Sequence, residues 1–141
     1  MTQQDITRPM VRGCADHNGE WMGFCELLSK DPKVTAQPGW TKLVLIGEAG
    51  TGRARMFGYS YNADGACRLM APNVDTLLAF RGLYRSMHDV DPSGRPWVAC
   101  MIRLSAAGDA ALEFEYDDSQ RWDHTPANYE RRIAEYAALE V

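Results

Sequence analysis

The sequence predicts an α+β fold: a mainly antiparallel five-stranded sheet packed with about three helices, in the order α-β-β-β-α-β-β-α. Three observations predict it. Strand-like segments over residues 40–70 are separated only by short turns, which reads as an antiparallel meander. Two further segments over 97–116 alternate in hydrophobicity on either side of a polar loop. Helical patterns interrupt the strands too rarely for a doubly wound parallel sheet, so helices covering an antiparallel sheet are the simplest packing.

The elements follow in order. Residues 1–19 are polar, carry Pro9, Gly13 and Gly19, show no clean period, and are expected to form a loosely structured or partly helical arm. Over 20–29, Trp21, Phe24, Cys25 and Leu28 recur at helical spacing, weakened by Gly23. Residues 30–39 hold two prolines and a glycine and read as a loop. The run at 40–48, WTKLVLIGE, predicts a strand buried on both faces. Gly50-Thr51-Gly52 predicts a turn into a strand at 53–62, where Phe57, Tyr59 and Tyr61 share a face. Asn62-Ala63-Asp64-Gly65 predicts a turn into a short strand at 66–70. Pro72-Asn73 opens a helix with Asn73 as cap and an apolar stripe of Val74, Leu77, Leu78, Tyr84 and Met87, widened by Phe80 and Leu83. Residues 91–96 read as a loop. In the strand at 97–104, Val98, Cys100, Ile102 and Leu104 face one side. Ala106 to Asp109 form a hairpin loop. In 111–116, Leu112, Phe114 and Tyr116 face the core while Glu113 and Glu115 face water. Thr125-Pro126 is expected to cap and start the last helix, with a stripe of Tyr129, Ile133, Tyr136 and Ala137.

Composition bounds the function. A chain of 141 residues fits one domain, 1–141, and can bury roughly 70% of its unfolded surface. The net charge is −4 and the pI about 5.3, without the basic clusters that replace counterions on phosphates, so no nucleic-acid partner is expected. The longest apolar run, Leu43 to Ile46, is far too short for a membrane span. The start MTQQDITRPM lacks an apolar signal region, and the four cysteines have no CxxC spacing, so a cytoplasmic protein with reduced thiols is expected.

The motifs that could carry chemistry fall short. Gly47-Glu48-Ala49-Gly50-Thr51-Gly52-Arg53-Ala54 approaches a phosphate-binding loop. Arg53 stands where the phosphate lysine belongs, Ala54 where the magnesium hydroxyl belongs, and the continuation alternates like a strand. Cys14 and His17 offer half a zinc site, and Cys25, Cys67, His88, Cys100 and His124 supply no second pair. Cys25 and Cys100 read as core residues. No nucleophile signature accompanies the three histidines. No catalytic residue, cofactor or metal is therefore expected. Glu113, Glu115, Asp117, Asp118 and Asp123 form an acidic stretch around Trp122. It reads as a solvated face or a protein-docking surface, with Trp122 either an anchor for a partner or folded onto the core.

The Trp-led strand at 40, FGYSYN, the helix VDTLLAFRGLYRSM, the strand WVACMIRL and the stretch LEFEYDDSQRW occur in an order that resembles the YezG-like antitoxin and immunity proteins of bacterial polymorphic toxin systems. Phe114, Tyr116, Asp117, Asp118 and Trp122 are similar to that family's late strand. The likeness covers about 100 residues and leaves out the N-terminal arm. It implies a non-enzymatic immunity protein that binds and blocks a cognate toxin, often a nuclease, and it carries no fixed contact residues. The partner-binding expectation is Glu113, Glu115, Asp117, Asp118, Trp122 and Asp123, with homo-oligomerisation left open. Two rivals remain. One is a small-ligand-binding or enzymatic domain with a pocket lined by Phe57, Tyr59, Tyr61 and Trp97. The other is a secretion chaperone or adaptor.

Overall fold

A computed structural model describes residues 18–50, 53–90 and 97–141. The elements are α1 (Asn18–Lys30), β1 (Trp40–Gly50), β2 (Arg53–Asn62), β3 (Cys67–Met70), α2 (Val74–Val90), β4 (Ala99–Ser105), β5 (Ala110–Glu115) and α3 (Tyr129–Ala138). The strands form one sheet in the order β3-β2-β1-β4-β5, with every neighbouring pair antiparallel. This is the α+β fold and element order expected. The turn expected at 51–52, the loop expected at 91–96, the Cys14/His17 pair and the arm expected before residue 18 lie outside the described residues. Among the described residues no helix is long and apolar enough to cross a membrane.

Both faces of the sheet are covered. On the first face, Leu43, Leu45, Met56, Cys100, Ile102 and Leu112 pack under α1 and α2. Trp21, Phe24 and Leu28 of α1 meet Phe80, Leu83 and Met87 of α2 there. Trp21 and Phe114 lie 5.2 Å apart, and Tyr84 and Trp97 4.9 Å apart, both edge to face. Such pairing adds about 0.5–1.5 kcal/mol per contact beyond area burial. On the second face, Val44, Ile46, Tyr59, Tyr61, Ala99 and Met101 are covered by Trp122, Tyr136, Ile133 and Leu139. The alternation of β1 explains its fully apolar centre: odd residues feed one core and even residues the other.

Several expectations need correction. α1 begins at Asn18, two residues before the helix start expected at residue 20. β4 and β5 do not present one wet face. Ala99 and Met101, on the side of Glu113, are buried because the C-terminal segment returns across it. In α2 the buried line is Thr76, Phe80, Leu83 and Met87, whereas Val74 and Leu78 are 66% and 54% exposed. These two stand two residues before Thr76 and Phe80, about 200° around a helix of 3.6 residues per turn. In α3 only Tyr136 is buried, with Ile133 partly so, and Tyr129 and Ala137 are exposed.

α3 also starts later than expected. Residues 125–128 form a turn in which the Thr125 carbonyl accepts the Asn128 and Tyr129 N–H groups, and Asn128 Oδ1 takes the Thr125 N–H at 2.8 Å. The Asn73 cap does form: its Oδ1 accepts the Thr76 N–H at 3.0 Å. The glycine-rich stretch is strand up to Gly50 and again from Arg53, with Gly50 paired to Arg53, so Arg53 continues an antiparallel pair and does not open the helix that a phosphate loop needs.

Candidate functional site

The C-terminal segment reaches the second face because cations on the sheet hold it there. Lys42 of β1 points toward this face, and its Nζ donates to the carbonyls of Tyr136, Ala137 and Leu139 at 2.7, 2.8 and 2.7 Å. Arg103 of β4 donates from Nε to the Glu140 carbonyl at 2.7 Å. The last carbonyls of a helix have no partner within it and carry the negative end of its dipole. Burial, and then the nearby Arg103, lower the Lys42 pKa from its ordinary value. Replacing Lys42 with methionine keeps the apolar stem and removes all three donors. We expect a loss of about 1–3 kcal/mol. Hydrogen exchange should show α3 amides opening faster while β1 and β4 amides keep their protection. Unchanged protection in α3 would show that Lys42 does not hold it.

The expected acidic docking residues are brought together, but largely by internal partners. Glu113 pairs with Arg103, and with Arg121 at 3.2 Å. Glu115 meets Arg121 at 3.1 Å and accepts the Asp117 and Asp118 N–H groups at 3.0 Å. The Asp118 N–H first, and then Arg121, hold the Glu115 carboxyl below its usual range. Asp118 Oδ1 accepts the Gln120 N–H, and Asp117 is exposed. Asp123 pairs with Arg132 at 3.2 Å, and Arg132 also binds the carbonyls of Arg121 and Asp123. Trp122 is folded onto the second core at 5% exposure, with the Arg121 guanidinium 4.5 Å from its ring centre. The carboxylates therefore fasten the 117–124 connection to β4, β5 and α3.

A concave feature of this face lies at the other end of the sheet. A groove of about 660 Å³ is lined by Arg55, Phe57, Tyr59, Leu69, Met70, Ala71, His124 and Tyr129. Period-2 alternation on β2 puts Phe57 and Tyr59 on its floor, and β3 contributes Leu69, which is 70% exposed. Arg55 lies 5.0 Å from the Phe57 ring and 3.4 Å from Glu48. His124 stands edge-on to Phe57 at 4.7 Å. Its Nδ1 lies 3.0 Å from the Trp122 carbonyl, an acceptor, which assigns the proton to Nδ1. Burial lowers the His124 pKa and favours this neutral form. Trp97, the fourth member of the expected aromatic pocket, belongs to the opposite core, so Phe57, Tyr59, Tyr61 and Trp97 do not line one cavity.

The described cysteines are poor nucleophiles. Thiolate chemistry needs a lowered pKa and access to solvent. Burial pushes Cys25 up to about 12 and also raises Cys100 and Cys67. Among the described residues no group of three or more His, Cys, Asp and Glu could hold a metal ion.

Sequence reasoning placed Phe57 and Tyr59 on one face but missed Leu69, His124 and Tyr129 as neighbours of it. β3 has four residues, too few for a readable alternation. His124 comes from the connection after β5 and Tyr129 from the start of α3, both far from β2 along the chain. No family model matches the chain, and no curated protein matches it.

Proposed function

We propose that this chain is an immunity protein that binds and blocks a cognate toxin domain of a bacterial polymorphic toxin system, acting in the cytoplasm and without catalysis of its own. The observation that carries the protein-binding part is the apolar groove beside the open edge of β3, with Leu69 at 70% and Tyr129 at 46% exposure. Large exposed apolar side chains grouped at a sheet edge are costly in water and mark docking surfaces. The choice of a toxin as the partner rests on the resemblance of residues 40–140 to the YezG-like proteins. The acidic balance of −4 also suits a basic nuclease, since opposite charge steers encounter.

A second reading, a small-ligand site, is favoured by the groove's volume, which falls within the range of about 300–1,000 Å³ usual for ligand pockets. It is weakened by the shortage of converging polar groups. Arg55 is engaged by Glu48, and the His124 Nε2 atom is buried. A small molecule retained in a native mass spectrum of the purified chain would favour this second reading.

The direct test is co-expression of the chain with the toxic domain encoded beside its gene. Cells carrying both should grow, and the two proteins should co-purify. Equal killing with and without the chain would end the proposal. A secretion chaperone would co-purify with its client yet leave toxicity intact, which separates that rival in the same experiment.

A further inference from the structure

The backbone of β3 says how a partner would dock. The Asn62 N–H donates to the Ala66 carbonyl at 3.1 Å, so Asn62 and Ala66 form a hydrogen-bonded pair. Pairing then alternates along an antiparallel ladder. Tyr61–Cys67 is a non-bonded pair, Ser60–Arg68 bonded and Tyr59–Leu69 non-bonded. A residue in a non-bonded pair turns its own N–H and C=O away from that neighbour. Cys67 and Leu69 therefore present both backbone groups to the outer edge, where the described residues supply no further strand. Leu69 combines those outward groups with a side chain on the groove wall.

The side chains add a second constraint. Leu69 lies on the groove side with Tyr59, while Arg68 lies on the opposite side, exposed, with no ion-pair partner among the described residues. We infer that β3 accepts an extended segment of the partner as a sixth strand, with apolar side chains over the groove and acidic side chains beside Arg68. The inference rests on the protein-binding reading and deepens it. Strand addition draws affinity from main-chain hydrogen bonds and selectivity from alternate side chains. On β3 the alternate positions are one apolar groove and one exposed guanidinium with no ion-pair partner among the described residues, so an alternating apolar–acidic strand fits both. An alternating apolar–basic strand would set like charges side by side, which is unfavourable across neighbouring strands.

The test uses two acetylated, amidated hexapeptides, one alternating valine and glutamate, the other alternating valine and lysine. Hydrogen exchange of the full chain is followed at millimolar peptide. The glutamate peptide should slow the Cys67 and Leu69 amides several-fold and the lysine peptide should not. Arg68→Glu should exchange the two preferences. Leu69→Pro removes one outward N–H without touching the bonds to β2, a substitution that edge strands tolerate, and should abolish the effect. Native exchange rates in β1 and β4 check that this variant is folded; if they are lost, Arg68→Glu alone decides. No slowing by either peptide, or equal slowing by both, overturns the inference. The toxin separates the two levels of argument. If the parent chain fails to protect cells, the immunity reading falls whatever the peptides do. If the parent and a folded Leu69→Pro protect equally, strand addition alone falls.

Discussion

Gly58→Ala is expected to unfold the protein or to leave it barely stable. Gly58 sits in the middle of β2, opposite Leu45 of β1. A Cβ there would run into the Val44 carbonyl and come within 2.7 Å of the Leu45 Cα. Both obstacles are backbone, so no rotamer change relieves them. The two strands would have to part at the centre of the sheet, where Val44, Leu45 and Ile46 are fully buried. Overpacking in a core that can adjust costs about 1–3 kcal/mol. A collision that only strand separation relieves should cost about 4 kcal/mol or more, a large share of the roughly 5–15 kcal/mol that holds a domain together. The control is Gly82→Ala in the interior of α2, where nothing lies within 4 Å of the added methyl. That change should stabilise by about 0.5–1 kcal/mol, because alanine loses less backbone freedom in a helix. Urea unfolding followed by circular dichroism measures both. Parent-like stability in Gly58→Ala would show that β1 and β2 are not spaced as described.

Asp31→Ala should produce the second large loss, for an electrostatic reason. Asp31 lies just after α1 and is 3% exposed. Its Oδ1 accepts the Lys33 N–H at 2.9 Å. Its Oδ2 accepts the Asn73 N–H at 2.9 Å and the Thr76 hydroxyl at 2.8 Å. A single carboxylate thus joins the loop before β1 to the N-terminus of α2, where backbone donors and the helix dipole favour negative charge. Alanine leaves the Asn73 N–H and the Thr76 hydroxyl without partners, at an expected cost of about 2–4 kcal/mol. Burial alone would raise this carboxyl's pKa. The hydrogen bonds from Asn73, Thr76 and Lys33 together outweigh burial and lower it below 3.8. With a folded pKa below the unfolded one, the charged form's stabilisation is complete well above pH 3.8 and is lost as pH falls through the folded pKa. The stability gap between the parent and Asp31→Ala should therefore be constant from about pH 6 to 8 and narrow below about pH 4. A gap that persists unchanged at pH 3 would assign the loss to packing rather than to the charge.

Much of the fold is written in local patterns. The run Leu43 to Ile46 announces a strand buried on both faces, Phe57-x-Tyr59-x-Tyr61 announces one face of β2, and Asn73 announces the start of α2. What local patterns do not carry is which element covers which face. Glu113 and Glu115 look like a wet face because nothing near them in sequence says that Arg103 and Arg121 will meet them. Val74 and Leu78 look like core because apolar residues circle α2 more widely than one stripe, and only the sheet beneath selects Thr76, Phe80, Leu83 and Met87. Asp31 reads as an ordinary loop residue because its partners Asn73 and Thr76 lie more than forty positions later. The groove was hidden for the same reason: β2 and β3 supply one wall, and residues 124–129 the other.

The segment from Trp122 to Leu139 is also the lid of the second core. As the protein emerges from the ribosome, β1, β2 and β4 can pair before residues 122–139 are free to cross them. During that interval Val44, Ile46 and Met101 face water, and Lys42 and Arg103 await the helix end that they will hold. A nascent sheet with one bare apolar side is a template for association with its own kind. A chain cut anywhere in that stretch is expected to pair its strands yet clump, so residues 122–139 act as a solubility checkpoint on the sheet beneath them.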